Sequence, residues 1–282
     1  DLHSFPTRRS SDLAAGRGGR CGWPAEDMRA MRPATLATVL ILNLLLAACA
    51  ITKDEEFKEN VAETNFKLGI GYMQSGRLDV ATEKLIKAIQ YNDNYPEAHN
   101  ALGVLYEELR EYGPAETHFK RAMELKSDYM LAKLNYARLI CTRDPTRAAE
   151  AESQFQKIAE DPANAGATAA DANAGLGLCA RKRGDSAQAE TLLRKALEQN
   201  PNNATALYEL AQLSQTQGKT LQGRAFLQRY HSQASPSAQS LWLGFTMESA
   251  ADGDPQLRRD YASVLSSQFP NSEEAQRMRG GQ

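Results

Sequence analysis

Histidine and cysteine are the residues of this chain best suited to chemistry. Four of each occur: His3, His99, His118 and His231, and Cys21, Cys49, Cys141 and Cys179. An imidazole can act as base or metal ligand and a thiolate as nucleophile or ligand, but each needs partners within short reach. The spacing denies them. The cysteines are too scattered for a zinc site, and neither CxxC nor HxxxH occurs. No GxSxG, Walker or HExxH sequence is present, and no local context groups Ser, His and Asp. The sequence therefore predicts no catalytic residue, no metal, no cofactor, no small-molecule substrate and no enzyme. His99 falls where a helix packs on its neighbour and reads as a structural residue. The 33 Lys and Arg balance 35 Asp and Glu, which argues against a nucleic-acid partner. Charged residues at 24% and apolar residues at 42% fit a folded globular chain.

A repeat positions these residues. Leu68-Gly69 recurs as Leu102-Gly103 after 34 residues, with Tyr72 and Tyr106 three places on. Ala81, Leu85 and Ala88 answer to Ala115, Phe119 and Ala122 at the same period. Small, aromatic and small residues at these offsets resemble the tetratricopeptide repeat, a pair of antiparallel helices. Such a unit cannot bury its apolar face alone, so neighbours must stack on it. The expected fold is all-α, a right-handed superhelical solenoid of about six repeats over 62–282. The repeats fall near 62–95, 96–129, 130–169, 170–203, 204–236 and 237–270. The third has a longer turn at Cys141-Thr-Arg-Asp-Pro145 and a second break at Asp161-Pro162. The sixth is degenerate, as a capping repeat should be.

Ahead of the repeats, residues 1–27 have no periodicity and read as a non-native or disordered extension. Residues 28–48 combine two arginines, a short uncharged apolar run and small residues at the end, the pattern of a bacterial export signal. The apolar run is too short for a spanning helix. Its end, Leu46-Ala47-Ala48-Cys49, resembles the lipobox of bacterial lipoproteins. That resemblance implies a lipid-modified Cys49 as the first mature residue, followed by a polar tether over 49–61. In enteric-type bacteria an Asp after the lipidated Cys favours inner-membrane retention, so Ala50 favours the outer membrane. A plain signal peptide with an incidental Cys49 is the alternative.

The first helix of each tetratricopeptide pair lines an inner groove through its second, fifth, ninth and twelfth positions. These are Glu63, Phe66, Ile70 and Met73 in the first repeat, and Glu97, Asn100, Val104 and Glu107 in the second. In the third they are Leu131, Leu134, Arg138 and Cys141. An apolar strip of Phe66, Ile70, Met73, Val104 and Leu134, with Asn100 beside it, is the expected partner groove for a peptide segment. The alternative is that these side chains belong to the core. Phe66 and Ile70 stand where the carboxylate clamp of co-chaperone adaptors would need Lys and Asn. Cys141 and Cys179 lie late in the first helices of neighbouring repeats. They could form a disulfide or remain two buried thiols.

Three stretches sharpen the comparison: Lys67-Leu-Gly-Ile-Gly-Tyr-Met-Gln-Ser-Gly76, Leu134-Asn-Tyr-Ala-Arg-Leu-Ile-Cys141 and Ser240-Leu-Trp-Leu-Gly-Phe245. With the lipobox and six repeats, the chain resembles the PilF/PilW family of type IV pilus biogenesis lipoproteins, the pilotins. Ala137 and Ile140 depart mildly from the family's Gly and Leu. The resemblance implies a non-catalytic scaffold, lipid-anchored on the periplasmic face of the outer membrane. Its partner would be the pilus secretin subunit, whose localisation and multimerisation it would assist. The competing expectation is a periplasmic lipoprotein scaffold for cell-wall or other envelope complexes.

Overall fold

The repeat rests on a size match between its two helices. A glycine recurs in the first helix where the second presents a large side chain. A Cβ at Gly103 would lie 2.5 Å from the Phe119 ring, and one at Gly177 would lie 2.6 Å from Leu193. With only hydrogen at these points the helices approach closely, and Phe119 and Leu193 are fully buried. Ala81, Ala115, Ala151 and Ala189 supply the matching small residue on the second helices, each fully buried.

The computed structural model describes residues 33–280. The extension at 1–27, the start of the expected export signal and the side chain of Cys49 lie outside the described residues. Two compact units are present, 1–58 and 59–282. Helix α1 (Pro33–Gln74) contributes to both, and the backbone of Cys49 belongs to it. In the first unit Lys58 pairs with Asp54 at 2.6 Å. Among the described residues no helix is long and apolar enough to cross a membrane.

In the second unit the last turns of α1 pair with α2 (Leu78–Tyr91). Then follow α3 (Pro96–Glu108) with α4 (Tyr112–Leu125), and α5 (Met130–Arg143) with α6 (Ala148–Glu160). Next come α7 (Ala167–Arg183) with α8 (Ser186–Gln199), and α9 (Ala204–Thr216) with α10 (Thr220–Gln233). The array closes with α11 (Ala238–Glu248), α12 (Pro255–Gln268) and α13 (Glu273–Gly280). No strand occurs among the described residues. The chain folds as an all-α tetratricopeptide solenoid. Its core is a relay of clusters. One joins Leu85 to Leu102 and Leu105, the next joins Phe119 to Tyr136, Phe155 and Cys179, and another joins Leu193 to Leu207, Leu227 and Met247.

Local chemistry sets the boundaries. Asp185 caps α8 by accepting from the Gln188 amide at 3.0 Å, and Asn203 caps α9 through the Ala206 amide at 2.9 Å. Ser237 and Ser240 form a reciprocal capping box at the start of α11. Single 3-10 turns at Pro145–Arg147 and Pro162–Asn164 lengthen the connections on either side of α6. In each, the preceding aspartate (Asp144, Asp161) accepts from a backbone amide two residues on.

Four of the turns between paired helices use a left-handed residue. Gly76, Gly184 and Gly218 hold φ of 71°, 91° and 71°. At the corresponding place after α3 stands Arg110, with φ 64°. An L-residue there is strained, because its Cβ crowds the following carbonyl. The Arg110 side chain reaches Glu273 at the start of α13, Nη2 to Oε2 3.2 Å, across 163 residues of sequence.

Candidate functional site

The first helices place paired charges along the inner surface. Arg138 of α5 donates two parallel hydrogen bonds to Glu107 of α3, at 2.7 and 2.8 Å. Arg181 of α7 pairs through Nε with Glu209 of α9. In both pairs the carboxylate is the more deeply buried partner. Burying an ion pair is tolerated when the acid is fully engaged, and the bidentate Arg138 fork engages both oxygens of Glu107. Asn135 donates to the Asn100 side-chain oxygen at 3.0 Å. Asn203 donates to Asp171 at 2.6 Å. Polar bridges therefore stitch successive first helices together on the inner side.

Two cavities open along this surface. The larger, about 1000 Å³, lies between α3, α5 and the α11–α13 end. Its wall carries Glu107, Glu108, Glu273 and Glu274 against Arg110, Arg138 and Arg143, with Val104 and Phe269 as apolar elements. The smaller, about 490 Å³, runs over α5, α7 and α9. It sets Arg138, Arg143, Arg181 and Lys182 against Glu107 and Glu209. Tyr208 stands in its wall and accepts from Gln212 Nε2 at 2.6 Å. Burial, then the neighbouring Glu209, pushes the Tyr208 phenol up to about 12, so it stays protonated at neutral pH. Burial also raises the Glu108 carboxyl in the larger cavity.

The residues expected to form the groove separate. Val104 lines the larger cavity, and Leu134 lines a third hollow of about 210 Å³. Phe66, Ile70 and Met73 line neither of the two main cavities. They are half-buried against the core formed by Ala81, Leu85, Ala101, Leu102 and Leu105, and the Phe66 ring sits 5.0 Å from that of Tyr95. Asn100 is buried under its Asn135 partner. Cys141, placed by position in the groove, is buried in the core instead and bonded to Cys179, with Cα atoms 5.7 Å apart. Of the charged groove positions, Glu107 and Arg138 do face the cavities. Arg181 falls at the twelfth position of its first helix, as Glu107 does, whereas Arg143, Lys182 and Glu209 carry no local sequence signal. These last three are recognisable only once the repeats are stacked.

His99 is buried among protein groups. Its Nδ1 lies 3.0 Å from His118 Nδ1, and its Nε2 lies 3.0 Å from the Asp93 carbonyl oxygen. The Tyr106 ring stacks on His118 at 5.5 Å. Burial, then the facing His99, lowers the His118 imidazole to about 4, against a smaller opposing pull from Asp93. Among the described residues no group of His, Cys, Asp and Glu is arranged to hold a metal ion.

Stacked helix pairs with small-to-large contacts and a charged inner surface define a tetratricopeptide-repeat protein. Tetratricopeptide-repeat models match residues 71–109, 96–129 and 180–241. The chain is 24% identical to the type IV pilus assembly protein PilF of Pseudomonas aeruginosa over 242 residues, 81% of this chain and 94% of that one. It superposes on the crystal structure of PilW, a widely conserved type IV pilus biogenesis factor, with TM-score 0.53 and 27% identity. That match covers 77% of this chain and 98% of PilW. The structure of Pseudomonas aeruginosa PilF matches with TM-score 0.50 and 23% identity, covering 80% of this chain and 99% of that one.

Proposed function

We propose that the chain is a non-catalytic pilotin, an outer-membrane lipoprotein scaffold that assists the secretin of a type IV pilus. The observation that carries this reading is the likeness to PilW, which spans nearly the whole of that pilus biogenesis factor. The lipobox ending in Cys49 supports anchoring on the periplasmic face of the outer membrane. A lipid on Cys49 would hold the solenoid where an outer-membrane partner inserts, raising the effective concentration of the pair. The inner surface, with its paired charges and two cavities, is the working face.

Deleting the gene tests the role. Detergent-resistant secretin multimers should disappear or fail to reach the outer membrane. Their unchanged persistence there would overturn the pilotin reading in favour of a scaffold for other envelope complexes. A Cys49→Ala variant should lose its fractionation with the outer membrane, and retention there would refute lipid anchoring.

A further inference from the structure

The smaller cavity has an unequal charge balance. Both of its carboxylates are already engaged, Glu107 by the two terminal nitrogens of Arg138 and Glu209 by Arg181 Nε. Two further cations line the same wall, Arg143 at the end of α5 and Lys182 at the end of α7. Neither has an acidic partner among the described residues, whereas the adjacent Arg183 is paired with Glu152. Part of this placement has an ordinary cause, since basic residues suit the last turn of a helix. That cause does not fix where the groups end. The Arg143 guanidinium is held over the Tyr112 ring, 4.3 Å from its centroid, which restrains a side chain that lines both cavities. Tyr208 adds a neutral donor, because its oxygen is accepting from Gln212 and its own proton is unclaimed by any protein acceptor among the described residues. The volume of about 490 Å³ lies in the range of ligand pockets.

We infer that the cavity over α5, α7 and α9 binds an extended acidic peptide segment, with Arg143 and Lys182 each receiving a carboxylate and the Tyr208 hydroxyl donating to the segment. Charge complementarity chooses the occupant. A basic or purely apolar segment would leave both cations unpaired beneath it, at a desolvation cost. An acidic one pairs them without disturbing the Arg138–Glu107 and Arg181–Glu209 bridges. This inference takes the inner surface as the working face, as in the pilotin reading, and names the chemistry of the segment that surface takes.

The test uses the purified chain and three short fluorescent peptides with amidated ends: one rich in Asp and Glu, its Asn/Gln counterpart and a Lys-rich one. Fluorescence anisotropy should show binding of the acidic peptide alone, weakening as salt rises. The double variant Arg143→Glu/Lys182→Glu should lose on the order of 10-fold or more in affinity, as two attractive contacts of exposed cations become repulsive. The surface variants Lys87→Glu and Lys157→Glu, on second helices away from the cavity, should bind like the parent. Equal binding of the Asn/Gln or Lys peptide, or an unchanged affinity in the double variant, would overturn the inference. A photo-crosslinkable acidic peptide on the unmodified chain supplies a second readout that survives any folding defect. Its label should fall on 138–143 and 178–182, and labelling confined to other repeats would overturn the assignment. The gene deletion reads out separately. Secretin multimers can persist while the peptide binds, which would remove the pilus role and leave the cavity assignment standing.

Discussion

Arg110 sets a backbone cost against a side-chain gain, and two substitutions separate them. Its φ of 64° lies in the left-handed region that Gly76, Gly184 and Gly218 fill elsewhere. An L-residue there costs about 1 kcal/mol relative to glycine. The compensation is the contact with Glu273 at 3.2 Å, in which the two side chains remain 64% and 46% exposed. A pair so open to solvent contributes about 0.2–1 kcal/mol. Arg110→Gly should therefore be neutral or stabilising by up to roughly 1 kcal/mol, although it deletes a long-range ion pair. Arg110→Ala loses the pair and keeps the strain, so it should fall below the parent by up to about 1 kcal/mol. The order is the sharp expectation: glycine above alanine by about 1 kcal/mol, or about 2–4 °C in Tm for a domain of this size. Thermal and urea unfolding of the oxidised protein measures both variants. An alanine variant as stable as the glycine variant would refute the strain argument. A glycine variant well below the parent would show that the Glu273 contact is worth far more than an exposed pair should be.

Three further outcomes follow from the packing and titration. Closing a 38-residue separation, the Cys141–Cys179 bond should contribute about 4 kcal/mol, so reduction or the paired Cys→Ala variant should lower the unfolding midpoint accordingly. Gly177→Ala should destabilise by about 1 kcal/mol net, because its Cβ would meet Leu193 at 2.6 Å. Gly71→Ala, with nothing within 4 Å, should gain up to about 1 kcal/mol of helix propensity, and denaturant midpoints distinguish the two. The depressed His118 adds a pH dependence. Its folded pKa of about 4 lies below the ordinary 6.5, so the unfolded chain takes up the proton first. Stability should be unaffected above pH 7 and should fall between about pH 6.5 and 4, by on the order of 2 kcal/mol after allowing for partial exposure. His118→Phe should flatten that slope in pH-dependent unfolding curves.

The repeat was legible in the sequence because its physics is local. Gly103 and Phe119 are 16 residues apart and must match in size, so the pattern recurs wherever the pair of helices does. The interrupted third repeat was equally visible, since Asp144-Pro145 and Asp161-Pro162 each encode a turn. The inner surface was only partly legible. Position within the helix identified Glu107 and Arg138 as groove residues, yet it also put Phe66, Ile70 and Met73 there. These three are half-buried, packed on one side against Leu85 and Leu102. Contacts such as Arg181–Glu209 and Arg110–Glu273 depend on how far each repeat is rotated against the next. No spacing within a single repeat records that rotation.

The Cys141–Cys179 bond ties the durability of this solenoid to its location. In a linear array each repeat leans only on its neighbours, and the bond joins the two that flank the extra turns around α6. In a reducing compartment both thiols stay open and that junction rests on packing alone. In an oxidising compartment the same two residues lock, and the junction becomes covalent. The redox poise of the surroundings therefore sets whether the third and fourth repeats can separate at all.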